Sequence, residues 1–144
     1  NTCSPEFIEQ VKEYFYPEPY ATGLGQAPIG HNVTVVTATE KEINISADVM
    51  LDETYEQGQI KEPCKQAIQG YIDELRSEWG KKDRLNKYSL TVAIFKIIVA
   101  LNTVSGIINV TNVTINGEST DLELTEDKLK QELPKLGEVT INAT

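Results

Sequence analysis

Residues 43–49 of this chain read Ile43-Asn-Ile-Ser-Ala-Asp-Val49, and no other segment limits the fold as tightly. Side chains alternate between the faces of a β-strand, so Ile43, Ile45, Ala47 and Val49 must share one face while Asn44, Ser46 and Asp48 share the other. A strand buried on both faces would be apolar throughout. This one therefore belongs to a sheet with one face against a core and the other open to water. What covers the buried face has to come from elsewhere in the chain.

The cover is legible in two helical patterns. From about Gln57 to Trp79, Ile60, Cys64, Ala67, Ile68, Tyr71, Ile72, Leu75 and Trp79 recur at the spacing of one helix face. Pro63 suits only a first turn, which places the start of the regular helix near Lys61. Gly80-Lys-Lys-Asp83 supplies a glycine and positive charge for its C-terminus. The longest apolar run, Leu90 to Leu101, is broken only by Thr91 and Lys96. It is too short, with a central lysine, for a hydrocarbon core that needs about 20 apolar residues, and reads as a buried helix. Ser89 is its expected N-cap, Asn102 its end, and Ser105-Gly106 its stop.

Further strands are expected on both sides of the helices. Val33-Thr-Val-Val-Thr37 is the expected antiparallel partner of the 43–49 strand, joined to it through Ala38–Glu42. Ile107–Val110 and Val113–Ile115 lead into Asn116-Gly117, the strongest short-range signal for a two-residue hairpin turn. Leu122 and Leu124 alternate with acids, residues 126–133 read as a short helix or a loop, and Val139–Ile141 forms a last strand. At the start, Ser4 N-caps a helix over residues 5–16, with Pro5 at its first position and Glu6 complementing the dipole. Its apolar stripe is Phe7, Ile8, Val11, Tyr14 and Phe15. Tyr16-Pro-Glu-Pro-Tyr20 breaks that helix, and the glycine-rich stretch to Gly30 extends the break. The expected fold class is α+β: a mainly antiparallel sheet with two amphipathic helices on one face, preceded by an N-terminal helix and a Gly/Pro linker. Residues 1–30 are expected to be the tail of an upstream region, and residues 31–144 the module itself.

Chemistry is sparse. His31 is the only histidine, and no serine or cysteine motif gives it a nucleophile to activate. Gly23-x-Gly25 with Gly30 lacks phosphate-loop spacing, has no Lys-Ser/Thr and precedes no helix. The acid pairs Asp52-Glu53 and Glu126-Asp127 lie outside any D-x-[DN]-x-[DN]-G loop, so solvated charge accounts for them better than calcium does. Cys3 and Cys64 have no partners at zinc spacing and read as bystanders. We expect no catalytic residue, no cofactor and no metal. A formal net charge of −9 opposes both nucleic acid and an anionic membrane surface. No leader peptide is visible in Asn1-Thr-Cys-Ser-Pro5, which runs into an acidic helix.

One pattern supports a rival class. Asn32-Val-Thr, Asn44-Ile-Ser, Asn109-Val-Thr, Asn112-Val-Thr and Asn142-Ala-Thr all match the N-glycosylation acceptor. They suit a secreted or surface-exposed, non-catalytic binding module. They also arise wherever Asn and Thr line the solvent face of strands whose inner face is Val or Ile.

Taken in order, Ala27-Pro-Ile-Gly30, Val33-Thr-Val35, Ile43-Asn-Ile-Ser-Ala-Asp-Val49, Gly106-Ile107, Asn116-Gly117 and Pro134-Lys-Leu-Gly-Glu-Val-Thr-Ile141 resemble the C-terminal region of baseplate J-like proteins, the contractile-tail family that includes PBSX-type prophage tail proteins. The resemblance covers the chain from about Gln10 onward, and the order and spacing of the motifs carry it rather than any one of them. Full members are considerably longer, so the chain is expected to be a C-terminal piece. The resemblance implies a structural, non-catalytic component of a phage, prophage or bacteriocin baseplate wedge. It would be assembled in the bacterial host cytoplasm and incorporated into the virion tail. Its partners would be other baseplate and tail proteins, with self-association open. Tyr14, Phe15, Tyr16 and Tyr20 at the linker suit either packing on neighbouring subunits or packing on the module itself.

Overall fold

A computed structural model describes residues 2–79, 90–125 and 130–144. The elements run α1 (Pro5–Phe15), β1 (Thr39–Leu51), α2 (Gln57–Glu78), β2 (Thr91–Val92), α3 (Ile94–Asn102), β3 (Ile107–Ile115), β4 (Leu122–Glu123) and β5 (Glu132–Ala143). The architecture is α+β. β1 is the central strand of a three-stranded sheet ordered β3-β1-β5, and β2 pairs with β4 in a separate short ladder.

The sheet is mixed. β1 runs antiparallel to β3 and parallel to β5, and β2–β4 is antiparallel. The sequence pattern points to mainly antiparallel pairing, because hairpins are the local solution for neighbouring strands. The parallel β1–β5 ladder closes instead through the whole intervening chain, whose helices provide the long crossover that parallel strands need.

That arrangement also decides the fate of Val33–Thr37, the expected partner of β1. Both edges of β1 are filled by β3 and β5, so no ladder position is left for it. Residues 33–37 run without strand pairing, and Thr37 Oγ1 accepts a hydrogen bond from the Cys3 N–H at 2.9 Å. Of the expected connection Ala38–Glu42, all but Ala38 is itself the start of β1.

The buried face of β1 is the one the alternation indicates. Ile43, Ile45, Ala47 and Val49 are all at most 2% exposed. They join Ile60, Cys64, Ile68, Tyr71, Ile72 and Leu75 of α2, Ile97 and Leu101 of α3, and Val110, Val113, Ile115, Val139 and Ile141 of the flanking strands in one core. Burial of this size is the main favourable contribution to folding. Cys64 lies in that core and Cys3 is exposed; both are free thiols.

Two helix starts differ from expectation. α2 begins at Gln57 rather than near Lys61, because Gln59 Oε1 turns back to accept from the Glu56 N–H at 3.0 Å and closes the first turn early. Pro63 consequently sits in the second turn, where it removes the donor that would reach the Gln59 carbonyl. α3 begins at Ile94 with Ala93 as its cap residue, not after Ser89. Its first free N–H groups are met from a distance: Ala93 N donates to the Tyr71 hydroxyl at 3.0 Å, and Ile94 N to Asp121 Oδ1 at 2.8 Å. With that cap in place, Thr91 and Val92 form β2, and Val92 is fully buried. The expected stop at 80–83, the Ser89 cap itself and the acid pair at 126–127 lie outside the described residues. Of the 126–133 segment, Glu132 and Leu133 belong to β5.

The expected pair of strands at 107–110 and 113–115 is one strand, β3, interrupted by a bulge. Between Ser46↔Thr114 and Asp48↔Thr111, β1 advances two residues and β3 three. Asn112 occupies the extra position at φ 50°, a left-handed conformation that asparagine tolerates better than most residues. The bulge lets Val110 and Val113, three apart, both face the core.

Candidate assembly surface

The sheet face away from the helices has no cover among the described residues, and its side chains fall into three registered rows. Thr114, Ser46 and Thr140 stand opposite one another across β3, β1 and β5. On one side of this hydroxyl row lie Asn112, Asp48 and Asn142. Asn112 Nδ2 donates to Asp48 Oδ2 at 2.7 Å, and Asn142 Nδ2 to Asp48 Oδ1 at 2.9 Å. These two amides hold the Asp48 carboxyl below its ordinary pKa, against the opposing pull of desolvation.

On the other side lie Asn116, Asn44 and Glu138. The Asn44 N–H donates to Asn116 Oδ1 at 2.8 Å, and Asn44 Oδ1 accepts from the Glu138 N–H at 2.7 Å. That last bond spans a second bulge: between Ile43↔Leu136 and Ile45↔Val139, β5 gains one residue over β1. Gly137 sits in this bulge. A Cβ there would overlap Asn44 Oδ1 and lie 2.6 Å from Glu42 Cγ, so the glycine makes room for the asparagine to reach across. The Asn116-Gly117 turn is as expected, with φ 52° and 84° and reciprocal bonds between Ile115 and Glu118. Glu42, Asn44, Ile45, Ser46, Thr114, Asn116, Gly117, Glu138 and Thr140 line a hollow of about 430 Å³ on this face.

The two sheet edges are blunted. Register turns the carbonyls of Glu132, Pro134 and Ile141 on β5 away from β1, and α2 with its cap residue Trp79 satisfies all three. Trp79 Nε1 donates to Glu132 O at 3.1 Å, Arg76 Nη1 to Pro134 O at 2.9 Å, and Gln57 Nε2 to Ile141 O at 2.8 Å. Pro134 lies where its missing N–H would also have pointed outward, so the ladder loses nothing. On β3, Asn109 Oδ1 accepts from the Val110 N–H at 2.9 Å, and a further bulge lies at the Met50/Leu51 step. Capped and bulged edges are the usual defence against adding another strand.

Apolar surface is concentrated elsewhere. α1 has no buried residue, and Phe7, Tyr14 and Phe15 on it are exposed. Phe95 and Val99, one turn apart on α3, also face solvent. The linker aromatics divide: Tyr16 and Tyr20 stack on each other at 5.0 Å, with the Tyr16 hydroxyl on Asn32 Oδ1, while Tyr14 points outward. His31 is an exposed loop residue whose N–H donates to Pro28 O. Among the described residues, no three His, Cys, Asp or Glu side chains are grouped to hold a metal. None of the described helices is long and apolar enough to cross a membrane.

The rows also account for three of the five acceptor-like Asn-x-Ser/Thr sites. Asn44, Asn112 and Asn142 tie strands together through their side chains, and Ser46 and Thr114, two residues on, fall on the same face. Strand alternation alone assigns no role to the face as a unit, although these repeats are its trace in the sequence.

The family model for the Baseplate J-like protein C-terminal domain matches residues 43–142, from the first buried isoleucine of β1 to the Asn142 that holds Asp48. The chain belongs to the baseplate J-like family. It is 35% identical over 139 residues to the phage-like element PBSX protein XkdT of Bacillus subtilis (strain 168). It is 34% identical over 139 residues to the uncharacterized protein YqbT of the same strain. Each match covers 96% of this chain and 36% of the relative, so the baseplate J-like chain described here spans about a third of the length of these curated relatives.

Proposed function

We propose that this chain is a structural, non-catalytic part of a contractile phage, prophage or bacteriocin tail baseplate, acting in wedge assembly through contacts with other baseplate and tail proteins. The observation that carries this reading is the family match over residues 43–142 together with relatedness to a protein of a phage-like element. The geometry supports it in kind. The core is closed, both sheet edges are blunted, and what remains for function is surface: an uncovered polar sheet face, the outer stripe of α3, and α1. Surfaces of this type act by complementarity and a few anchors.

Residues 31–144 form the baseplate module in this reading, and residues 1–30 belong to an upstream part of a longer protein. The site of action is the virion tail, after assembly in the bacterial cytoplasm. Nucleic acid and membrane insertion have no part in it, in line with the net charge of −9. The test is deletion of the codons for residues 43–142 in the producing genome, followed by electron microscopy of induced lysates. Loss of complete contractile tails supports the proposal. Normal tails with intact baseplates overturn it.

A further inference from the structure

The face of the β3-β1-β5 sheet left uncovered by the described residues carries three polar side chains held in place before any partner arrives. Asn44 and Asn116 are locked to the backbone and to each other, and Asp48 is locked between two amides. The hollow between the Asn116–Asn44–Glu138 and Thr114–Ser46–Thr140 rows is lined by two carboxylates, three hydroxyls and two amides, with no lysine or arginine among the described residues. Acceptors therefore outnumber fixed donors, and the local charge is negative without a counterion from the lining residues. The ionised Asp48 one row away adds to that potential. Apolar docking does not suit this face, and both edges are blunted against strand addition.

We propose that this hollow is the socket for an arginine side chain presented by a neighbouring protein subunit. A guanidinium carries five donors in one plane and no acceptor, which matches carboxylates on one flank and a line of hydroxyls on the other. Lysine offers one compact, strongly hydrated charge and cannot bridge separated acceptors in the same way. Charge complementarity also sets the partner class: a protein loop or helix rich in basic residues, opposite to this chain's excess of acids. The neighbour's identity as a baseplate protein rests on the function proposed above; the socket itself does not.

The test uses the full chain, labelled with ¹⁵N, titrated with acetyl-Gly-Arg-Gly-amide and, separately, with the lysine and glutamine counterparts. The expected result is saturable shifts confined to the amides of residues 44–46, 116–117 and 138–140, with the arginine peptide binding several-fold more tightly than the lysine one. The double variant E42Q/E138Q, whose spectrum reports whether the fold is retained, is expected to weaken that binding by about tenfold. Linear, non-saturating shifts scattered over the surface overturn the proposal. So does equal affinity for arginine and lysine, unchanged binding by a folded E42Q/E138Q, or preferential saturation of the same amides by calcium chloride. None of these results depends on where the protein sits in a tail, so a failed socket and a failed baseplate assignment are told apart.

Discussion

Replacing Gly137 with alanine separates a bulge built around a side chain from one that merely tolerates a glycine. Gly137 has no positive φ, so backbone strain plays no part and the cost is steric. The added methyl would overlap Asn44 Oδ1 and sit 2.6 Å from Glu42 Cγ and 2.9 Å from Glu42 Oε1. Glu42 is exposed and its carboxylate can swing away. Asn44 cannot move without breaking the 2.7 Å bond from the Glu138 N–H. Losing that bond at a site water can reach costs about 0.5–1.5 kcal/mol. Crowding the packed Asn44–Glu42 contact costs about 1–3 kcal/mol. The reduced freedom of the unfolded chain returns about 0.4–1 kcal/mol. The net expectation is a loss of about 2 kcal/mol, or roughly 4–8 °C in Tm for a chain of this size.

Gly70 is the control. It lies within α2 with nothing inside 4 Å of an added methyl, so Gly70→Ala is expected to stabilise by about 0.5–1 kcal/mol. Urea unfolding followed by circular dichroism reads both variants. A Gly137→Ala midpoint equal to that of the unaltered chain, or both variants shifting in the same direction, would mean that the bulge is not built around Asn44.

Asp48, Asp52 and Glu40 are each held below their ordinary pKa, by the amides of Asn112 and Asn142, by Thr54, and by Lys135 respectively. A depressed folded-state pKa gives stability that is present above the unfolded value and lost as pH falls through the folded one, so urea midpoints are expected to fall below about pH 4. Asp48→Asn is expected to flatten part of that acid limb, and an unchanged limb counts against the Asn112–Asp48–Asn142 row. Ile97→Ala empties a fully buried position of α3 and is expected to cost about 2–5 kcal/mol in the same assay. Pro63→Ala restores a helical donor at an exposed position in the second turn of α2 and is expected to stabilise by roughly 1–3 kcal/mol; a loss would mean the helix begins after Pro63.

What can be read from the sequence is whatever short-range periodicity controls. The alternation at 43–49 marks the buried face of β1, and the 3.6-residue spacing marks the core face of α2 down to Leu75. Ser4 and Asn116-Gly117 are legible because their chemistry is local: Ser4 Oγ accepts from the Phe7 N–H, and the turn needs only its own two residues. The features that escape such reading share a different origin. The cap of α3 comes from Tyr71 and Asp121, more than twenty residues away on either side. Val33–Thr37 has ordinary strand composition, and only the occupation of both edges of β1 by distant strands excludes it. The bulge at Asn112 disguises one strand as two, since an extra residue resets the alternation. The uncovered face follows the same rule. Its asparagines are visible in the sequence, but their acceptor pattern suggests glycans until register places Asp48 between two of them.

Location in a contractile tail is read by electron microscopy of native particles from the producing host, labelled with an antibody against residues 31–144. Label concentrated at the distal, baseplate end of contractile tails is the predicted result. Unlabelled tails, with the antigen recovered instead in the soluble secreted fraction, would place the protein outside the baseplate.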